Sequence, residues 1–574
     1  MREYLHSYKS TLLSFVVAFF FFGCATVDVV EVDVADPSRE AKGLNGMVAA
    51  AHPLASQVGV DILKSGGNAV DAAVAVGFAL GVVEPNASGI GGGGLMLIWF
   101  AESGTVVFID SREKAPAAAT ADMFELDENG KVKPDGRGFN PAVIGGRSVA
   151  VPGEVAGLLA ALGKYGTMSR EQVMQPAIGF AEQGIPVSPV LAGIIAENYE
   201  ALANFPASEK IFLDDGFPKE PGSTLINPDL ANTLRLIAKQ GRDAFYHGPV
   251  AQSIVDAVQA DGGLITMQDL AGFDVTFRTP VTSSYRGYEI ISAPPPSSGG
   301  THVIELLNIM ENFDVEEMGL NSAQSIHAWT EAMKLMYSDR AEFMGDSDYV
   351  EVPLEGLTSK QYALDQFARI DMNSVMNLPA SGDPMTGDSG STTHFSVVDR
   401  HGNMVAYTKT INHFFASGIT TPGTGIILND QMDDFDKRPG HANSIAGGKR
   451  PLSSMSPTLI LEDGKPFATI GSPGGKRILS TVAMLISGLV DFDMDIQTAI
   501  NTPRINNYET GSLKMEARIP VDVQNELRQM GHQLLIKKDF DLYFGGAQGV
   551  VIDQKSGVLH GGADPRRDGK AVGY

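Results

Sequence analysis

The chain has 574 residues, with 68 acidic and 43 basic side chains, for a net charge of −25; no long basic run offsets this, which argues against a nucleic-acid partner. Hydrophobic residues make up 43% and charged ones 19%, the mix of a globular body, and 64 glycines point to many tight turns and close backbone approaches. The single cysteine, Cys24, excludes both an internal disulfide and a thiolate metal site.

At the N-terminus Arg2 and Lys9 precede an apolar run over 12–22 and then Gly23-Cys24-Ala25. Charged, apolar, then small is the layout of a secretory signal, and the run is too short to span a bilayer. A cysteine at its end resembles the lipobox of bacterial lipoproteins, where that cysteine is acylated. Phe21 and Phe22 fit that pattern poorly, so plain signal cleavage stays open. The expectation is residues 1–24 as signal with a lipidated Cys24, residues 25–42 as an acidic tether, and a body held at the periplasmic face of a membrane.

From Gly43 the pattern becomes regular. A helix is expected over 53–64, stopped by Ser65-Gly66-Gly67. Asn68 caps a second one, with Asp71 in capping-box spacing. Residues 69–82 are apolar nearly all round, as for a helix buried in a layered α/β body. The run Gly89-Ile90-Gly91-Gly92-Gly93-Gly94 formally matches G-x-G-x-x-G, but it follows a helix and precedes a strand (95–100). That is the reverse of a dinucleotide-binding context, so no nucleotide site is expected. A strand over 106–109 ends at Asp110-Ser111-Arg112-Glu113, where the arginine suits either solvent or an anion. Residues 150–290 read as mostly helical. A strand over 288–292 and the turn from Pro294 to Gly300 lead into a helix over 301–312, and apolar spacing from Ile326 to Tyr337 marks a further core helix. The eleven histidines show no ligand spacing along the chain, so no metal and no cofactor are expected.

The stretch 377–391 is Pro/Gly/Ser/Asp punctuation, typical of an exposed flexible segment. Directly after it comes a hairpin signal: Thr392 to Val398, a turn over 399–403, and a return over 404–412. In strand periodicity Thr392, His394 and Ser396 share one face, and Thr408, Thr410 and Asn412 share one face of the partner. A strand that begins abruptly with a hydroxyl residue after such a segment suggests a chain cut between Ser391 and Thr392. The new α-amine would then serve as base for the Thr392 hydroxyl. Taken alone, the same stretch describes a loop feeding an ordinary hairpin. Further on, a strand is expected over 426–429. Gly471-Ser472-Pro473-Gly474-Gly475 ends another strand and opens a helix over 478–489, presenting backbone N–H groups where a helix dipole favours negative charge, as an oxyanion hole requires; taken alone, it equally describes a plain strand-to-helix turn.

Together the runs at 61–75, 91–98 and 110–116, with P-P-P-S-S-G-G, T-T-H-F-S-V-V-D, N-D-Q-M-D-D-F, R-P-L-S-S-M-S-P-T and G-S-P-G-G, resemble the gamma-glutamyltransferase (gamma-glutamyl transpeptidase) family of N-terminal-nucleophile hydrolases across nearly all of 43–574. The resemblance implies an αββα four-layer sandwich, made as one precursor that cleaves itself into a large subunit (43–391) and a small catalytic one (392–574), which stay together as a heterodimer. It implies Thr392 as nucleophile and Thr410 as the residue orienting it. Arg112, Ser453 and Ser454 would hold the substrate α-carboxylate; Asn412, Gln431 and Asp434 would receive the α-amino group; Gly474 and Gly475 would form the oxyanion hole. The expected partners are glutathione and other γ-glutamyl compounds, with water or amino acid and peptide acceptors taking the acyl group. A zwitterionic γ-glutamyl group needs a cation with donors on one side and a carboxylate with acceptors on the other, and both sets are present. Two departures stand out. The loop between Phe435 and Arg450 is short and lacks a tyrosine, so the site should be open and hydrolysis favoured. His413-Phe414-Phe415-Ala416 also replaces a smaller turn and should reshape the wall of the site. A cephalosporin acylase-like amidase of the same fold is the competing enzyme reading, and an inactive surface-tethered binding lipoprotein the non-enzymatic one.

Overall fold

The hairpin predicted after the punctuated stretch forms as Thr393–Asp399 and Met404–Thr410, paired antiparallel with His394 opposite Thr408 and Val397 opposite Val405. The structure, a computed structural model, describes residues 39–377, 391–508 and 512–574. The signal, Cys24, most of the tether and the core of the punctuated stretch (378–390) lie outside the described residues.

This hairpin is the centre of a seven-stranded antiparallel sheet, flanked by Gly46–Ala50 and the C-terminal Lys570–Gly573 on one side and by Gly93–Phe100, Thr105–Asp110 and Thr276–Arg278 on the other. A second seven-stranded sheet runs Ala41–Gly43, Leu559–Ala563, Gln548–Ile552, Lys465–Gly471, Thr458–Glu462, Tyr288–Ser292, Val281–Tyr285. Alternation along the strands sorts the apolar residues into three cores. Val48, Ala50, Met96, Ile98, Phe395 and Val397 face the helices Pro53–Lys64 and Ala69–Val83. Met47, Ala49, Leu95, Leu97 and Val398 face the other sheet, meeting Ile291, Leu459 and Val550. Ile290, Ile460 and Ile470 face the helices Gly299–Met310, Ala323–Phe343 and Ile478–Val490. Helix, sheet, sheet, helix is the expected αββα order. Each fully buried aliphatic or Phe side chain contributes about 1.5–3 kcal/mol. A one-residue slip of Thr393–Asp399 would move Phe395 and Val397 out of their core together, so the register is pinned.

The helices at 53–64 and 69–83 form as read, the second with the Asn68–Asp71 capping box in place. The glycine run is a packing seam: a Cβ on Gly92 would stand 2.0 Å from the Thr410 carbonyl oxygen. Two expectations are corrected. Residues 426–429 form no strand; Ile427 and Leu428 make only isolated bridges to Thr420 and Gly91, because this segment crosses the sheet end instead of joining it. The tether ends earlier than 42. Arg39 donates to the carbonyls of Arg567 (3.0 Å) and Gly569 (2.8 Å), and Ala41–Gly43 pairs at the edge of the second sheet. Among the described residues, no helix is long and apolar enough to cross a membrane.

Candidate active site

Thr392 lies at the head of the central strand and is buried, 4% exposed. Its hydroxyl is 2.5 Å from the carbonyl oxygen of Ser391 and 3.2 Å from Thr410 Oγ1, with one proton to share between them. Thr410 Oγ1 accepts the Asn412 N–H (2.8 Å) and donates to the Ser391 carbonyl at 2.9 Å. Ser391 is itself fixed, its N–H donating to the Asn412 carbonyl at 2.6 Å. The Ser391–Thr392 peptide is thus polarised by one hydroxyl while the neighbouring hydroxyl sits against it. Arg567, unmarked by any pattern in the sequence, donates to the Thr392 carbonyl and pairs with Glu84 at 3.0 Å.

From Thr410 the chain leads to the polar pocket. Asn412 donates to the Asp430 carbonyl (3.2 Å), and one residue on Gln431 Nε2 donates to Asp434 Oδ2 at 2.7 Å. That bond turns the Gln431 amide so that its oxygen is buried with no hydrogen-bond partner among the described residues, an acceptor awaiting a donor. Asp434 Oδ2 also takes a short ion pair from Arg112. The arginine is 1% exposed and Asp434 29%, so the pair opens to solvent on the carboxylate side. Pro451 and Leu452, just before the serines, brace the guanidinium with their carbonyls at 3.3 and 3.1 Å. Glu113 lies 3.5 Å from Arg112 Nη1. Burial pushes Glu113 up to about 8 against the pull of Arg112, so it is a neutral acid at pH 7 and leaves Asp434 as the charge partner.

Ser453 and Ser454 complete this side. Ser454 Oγ accepts from Arg340 at 3.1 Å, which leaves the hydroxyl proton to donate. Arg340 also donates to Ser298 Oγ (2.9 Å), and Ser298 to the Ser453 carbonyl (2.8 Å), so one guanidinium steadies both serine positions. The only hint in the sequence is the neighbouring P-P-P-S-S-G-G run; the reach of Arg340 from a helix more than a hundred residues from Ser454 is a tertiary fact.

The glycine pair arrives from the facing sheet. Ser396 Oγ donates to the Thr469 carbonyl at 3.0 Å, and a Cβ on Gly471 would stand 2.4 Å from the His394 ring. As residue numbers fall from 396 to 394 they rise from 469 to 471, so the chain leaves the second sheet toward Thr392. Gly474 (φ +132°) and Gly475 (φ +57°) lie in that exit, in backbone conformations that disfavour a side chain. Gly474 caps a tight 3₁₀ turn, Gly475–Arg477, which leads into the helix Ile478–Val490.

The two departures resolve differently. In the 413–416 turn, Asn412, Phe415 and Ala416 all take positive φ, a cluster of strain at the site. Phe415 packs into the core against Phe212 with the rings tilted at 60° (centroids 4.7 Å apart), Phe414 lies against Arg567, and His413 Nδ1 meets Asp430 Oδ2 at 2.5 Å. The bulk therefore supports the site from behind. The loop 436–449 folds on itself: Lys437 binds Asp433, Lys449 returns to the carbonyls of Ala442 and Ser444, and Asn443 ties the Asp434 carbonyl to the Leu452 N–H.

Two face-to-face antiparallel sheets between helices, with a buried threonine heading a central strand beside a charge-paired pocket, define the N-terminal-nucleophile hydrolase class. Residues 55–574 match the family described as Gamma-glutamyltranspeptidase, and the chain belongs to that family. It is similar to the "Glutathione hydrolase proenzyme" of Bacillus subtilis (strain 168), 43% identical over 92% of each chain. It is also similar to the "Acylase ACY 1 proenzyme" of Pseudomonas sp. (strain SE83), 41% identical over 93% of this chain and 94% of that one. Among solved structures, the cephalosporin acylase from Bacillus halodurans superposes with a TM-score of 0.84 at 29% identity, covering 93% of this chain and 97% of that one.

Proposed function

We propose that Thr392 is the nucleophile of a γ-glutamyl-cleaving enzyme, released as a new N-terminus by its own attack on Ser391. The protein cleaves the γ-glutamyl amide bond of glutathione-type compounds, as its family membership and its glutathione hydrolase relative support. In maturation, Thr392 Oγ adds to the Ser391 carbonyl carbon while Thr410 donates to its oxygen. The amide becomes an ester, and water hydrolyses it to a chain ending at Ser391 and the chain 392–574. In turnover, the free α-amine takes the Thr392 hydroxyl proton, and the oxygen adds to the γ-carbonyl, whose oxyanion the Gly474 and Gly475 amides receive. Collapse expels the amine leaving group with a proton and leaves a γ-glutamyl ester, which water or an acceptor amine resolves.

The observation that carries the substrate assignment is the Arg112–Asp434 ion pair with the orphaned Gln431 oxygen beside it. A pocket with one cation and one carboxylate is complementary to a zwitterion. The α-carboxylate takes the Arg112 edge with Ser453 and Ser454, and the α-ammonium takes Asp434, Gln431 and Asn412. An acyl group with no ammonium would leave the buried Gln431 oxygen without a donor and bring no cation to the exposed side of Asp434, which disfavours the acylase reading. The body is further proposed to be exported and held at the periplasmic side through Cys24.

The test compares a γ-glutamyl anilide with its glutaryl counterpart, which lacks only the ammonium, on wild type and on Thr392→Ala. Wild type should run as two chains, the smaller beginning T-T-H-F, and should favour the γ-glutamyl compound by at least tenfold. Thr392→Ala should be one uncut, inactive chain. Preference for the glutaryl compound would replace this reading with the acylase one.

A further inference from the structure

Away from the active site, on the outer helical layer, His327 and Glu331 stand one turn apart on the helix Ala323–Phe343. His532, which follows the helix Val521–Gln529, closes onto them. All three are buried, at 0, 0 and 5% exposure, and one donor atom from each lies within 4.8 Å of the others. His327 Nδ1 and His532 Nε2 are 2.7 Å apart, with the rings edge-on.

The surroundings orient these groups as ligands. His327 Nε2 lies 3.0 Å from the Asp371 carbonyl oxygen, which only accepts, so Nε2 carries the hydrogen and Nδ1 presents its lone pair inward. A histidine whose far nitrogen is held by a backbone carbonyl is fixed in tautomer and ring angle, as metal-ligating histidines are. Glu331 is held at both oxygens, by the Met376 N–H at 2.8 Å and the Lys334 ammonium at 2.6 Å. Nothing in the chemistry proposed for Thr392 uses any of these residues.

We propose that His327, Glu331 and His532 form a binding site for a divalent cation of the zinc class. Two imidazole nitrogens and one carboxylate oxygen suit a borderline cation in four-coordination, with the last position open to water; calcium and magnesium demand more oxygens than this site offers. Without the cation, the His532 Nε2–H donates to His327 Nδ1. With it, His532 moves that proton to its own Nδ1, and both inner nitrogens turn to the metal. No proton is released, and the nitrogens separate to roughly 3.3 Å, the span set by Zn–N bonds of about 2.0–2.1 Å at a tetrahedral angle.

The site has a structural use. Asp371 and Met376, which hold the ligands from behind, belong to the run that leads toward Ser391. With the cut proposed above, two ligands belong to the large subunit and one to the small, so the cation ties the subunits together; this part alone rests on that reading. The experiment strips purified protein with EDTA and titrates Zn²⁺ alone against a chromophoric chelator. Wild type should bind one equivalent per chain with sub-micromolar affinity and gain several degrees in Tm. Co²⁺ should give the absorption of a four-coordinate N/O site. His532→Gln keeps a donor for His327 Nδ1 but not the ligand set, so it should bind at least tenfold more weakly while turning over glutathione like wild type; Glu331→Gln should weaken binding similarly. Uncut Thr392→Ala should bind the same equivalent, which separates a failure of the cleavage reading, visible on a gel, from a failure of the site. No tight equivalent in wild type, or one kept undiminished in both His532→Gln and Glu331→Gln, overturns the proposal.

Discussion

Glu113 shows how one buried carboxyl sets the working charge of the pocket. Because it stays protonated to about pH 8, Arg112 faces a single carboxylate, Asp434, over the neutral range. The same burial makes stability depend on pH. Between the ordinary glutamate range and about 8 the unfolded chain has lost this proton and the folded one keeps it, so the folded state is progressively disfavoured as pH rises through that window. Glu113→Gln removes that dependence. Its stability relative to wild type should climb between about pH 5 and 8, by on the order of a few kcal/mol, and level off above. Above pH 8 an ionised Glu113, 3.5 Å from Arg112 Nη1, would compete with the α-carboxylate that Arg112 is proposed to bind. Wild-type KM for a γ-glutamyl donor should therefore rise severalfold there, and Glu113→Gln should not show the rise. Parallel stability and KM profiles for the two proteins would remove Glu113 from this role.

Between residues and the whole fold, the loop 436–449 bears on the acceptor that the proposed Thr392 ester would meet. Its own hydrogen bonds keep it compact, with Ile445 buried and Asn443 linking the Asp434 and Leu452 backbones. The Asp434 carboxylate stays 29% exposed beside it. A lid excludes water and so favours an amine acceptor; this loop is folded as a brace for the pocket instead. The ester on Thr392 should therefore meet bulk water, and hydrolysis should dominate at neutral pH. With glutathione as donor and glycylglycine raised into the low millimolar range, free glutamate should exceed the γ-glutamyl-dipeptide, and transfer should gain only at alkaline pH, where the acceptor amine is deprotonated. Transfer product exceeding glutamate under the neutral conditions would show that the site is effectively roofed.

At the scale of the whole molecule, the described body begins and ends beside the sheet that carries Thr392. Arg39, at the entry to the body, is bonded to the loop that carries Arg567, and the C-terminal strand pairs beside Gly46–Ala50, next to the Thr392 strand. A tether leaving at Arg39 therefore emerges from a fixed point on the folded body. If Cys24 carries the anchor, Cys24→Ala should shift the enzyme from the membrane fraction to the soluble one with unchanged activity, because the site residues described above all lie beyond residue 83. Wild-type protein found equally in the soluble fraction would rule out the lipid anchor.

The local pattern alone determined the hairpin, the capped helix Ala69–Val83 and the shared face of Thr392, His394 and Ser396. These depend on period and capping, which are properties of neighbouring residues. The resemblance in motifs supplied the residues proposed to surround the substrate, most of which sit in contiguous runs such as those holding Arg112, Gln431 and Asp434, and Ser453 and Ser454. The sequence could not show that Arg340 reaches Ser454, that Arg567 holds the Thr392 carbonyl, or that residues 426–429 cross the sheet end without joining it. Nor could histidine spacing reveal His327 beside His532, two hundred residues apart. Those are contacts between layers, set by how the two sheets and their helices pack, and no local period encodes which distant side chain fills a given gap.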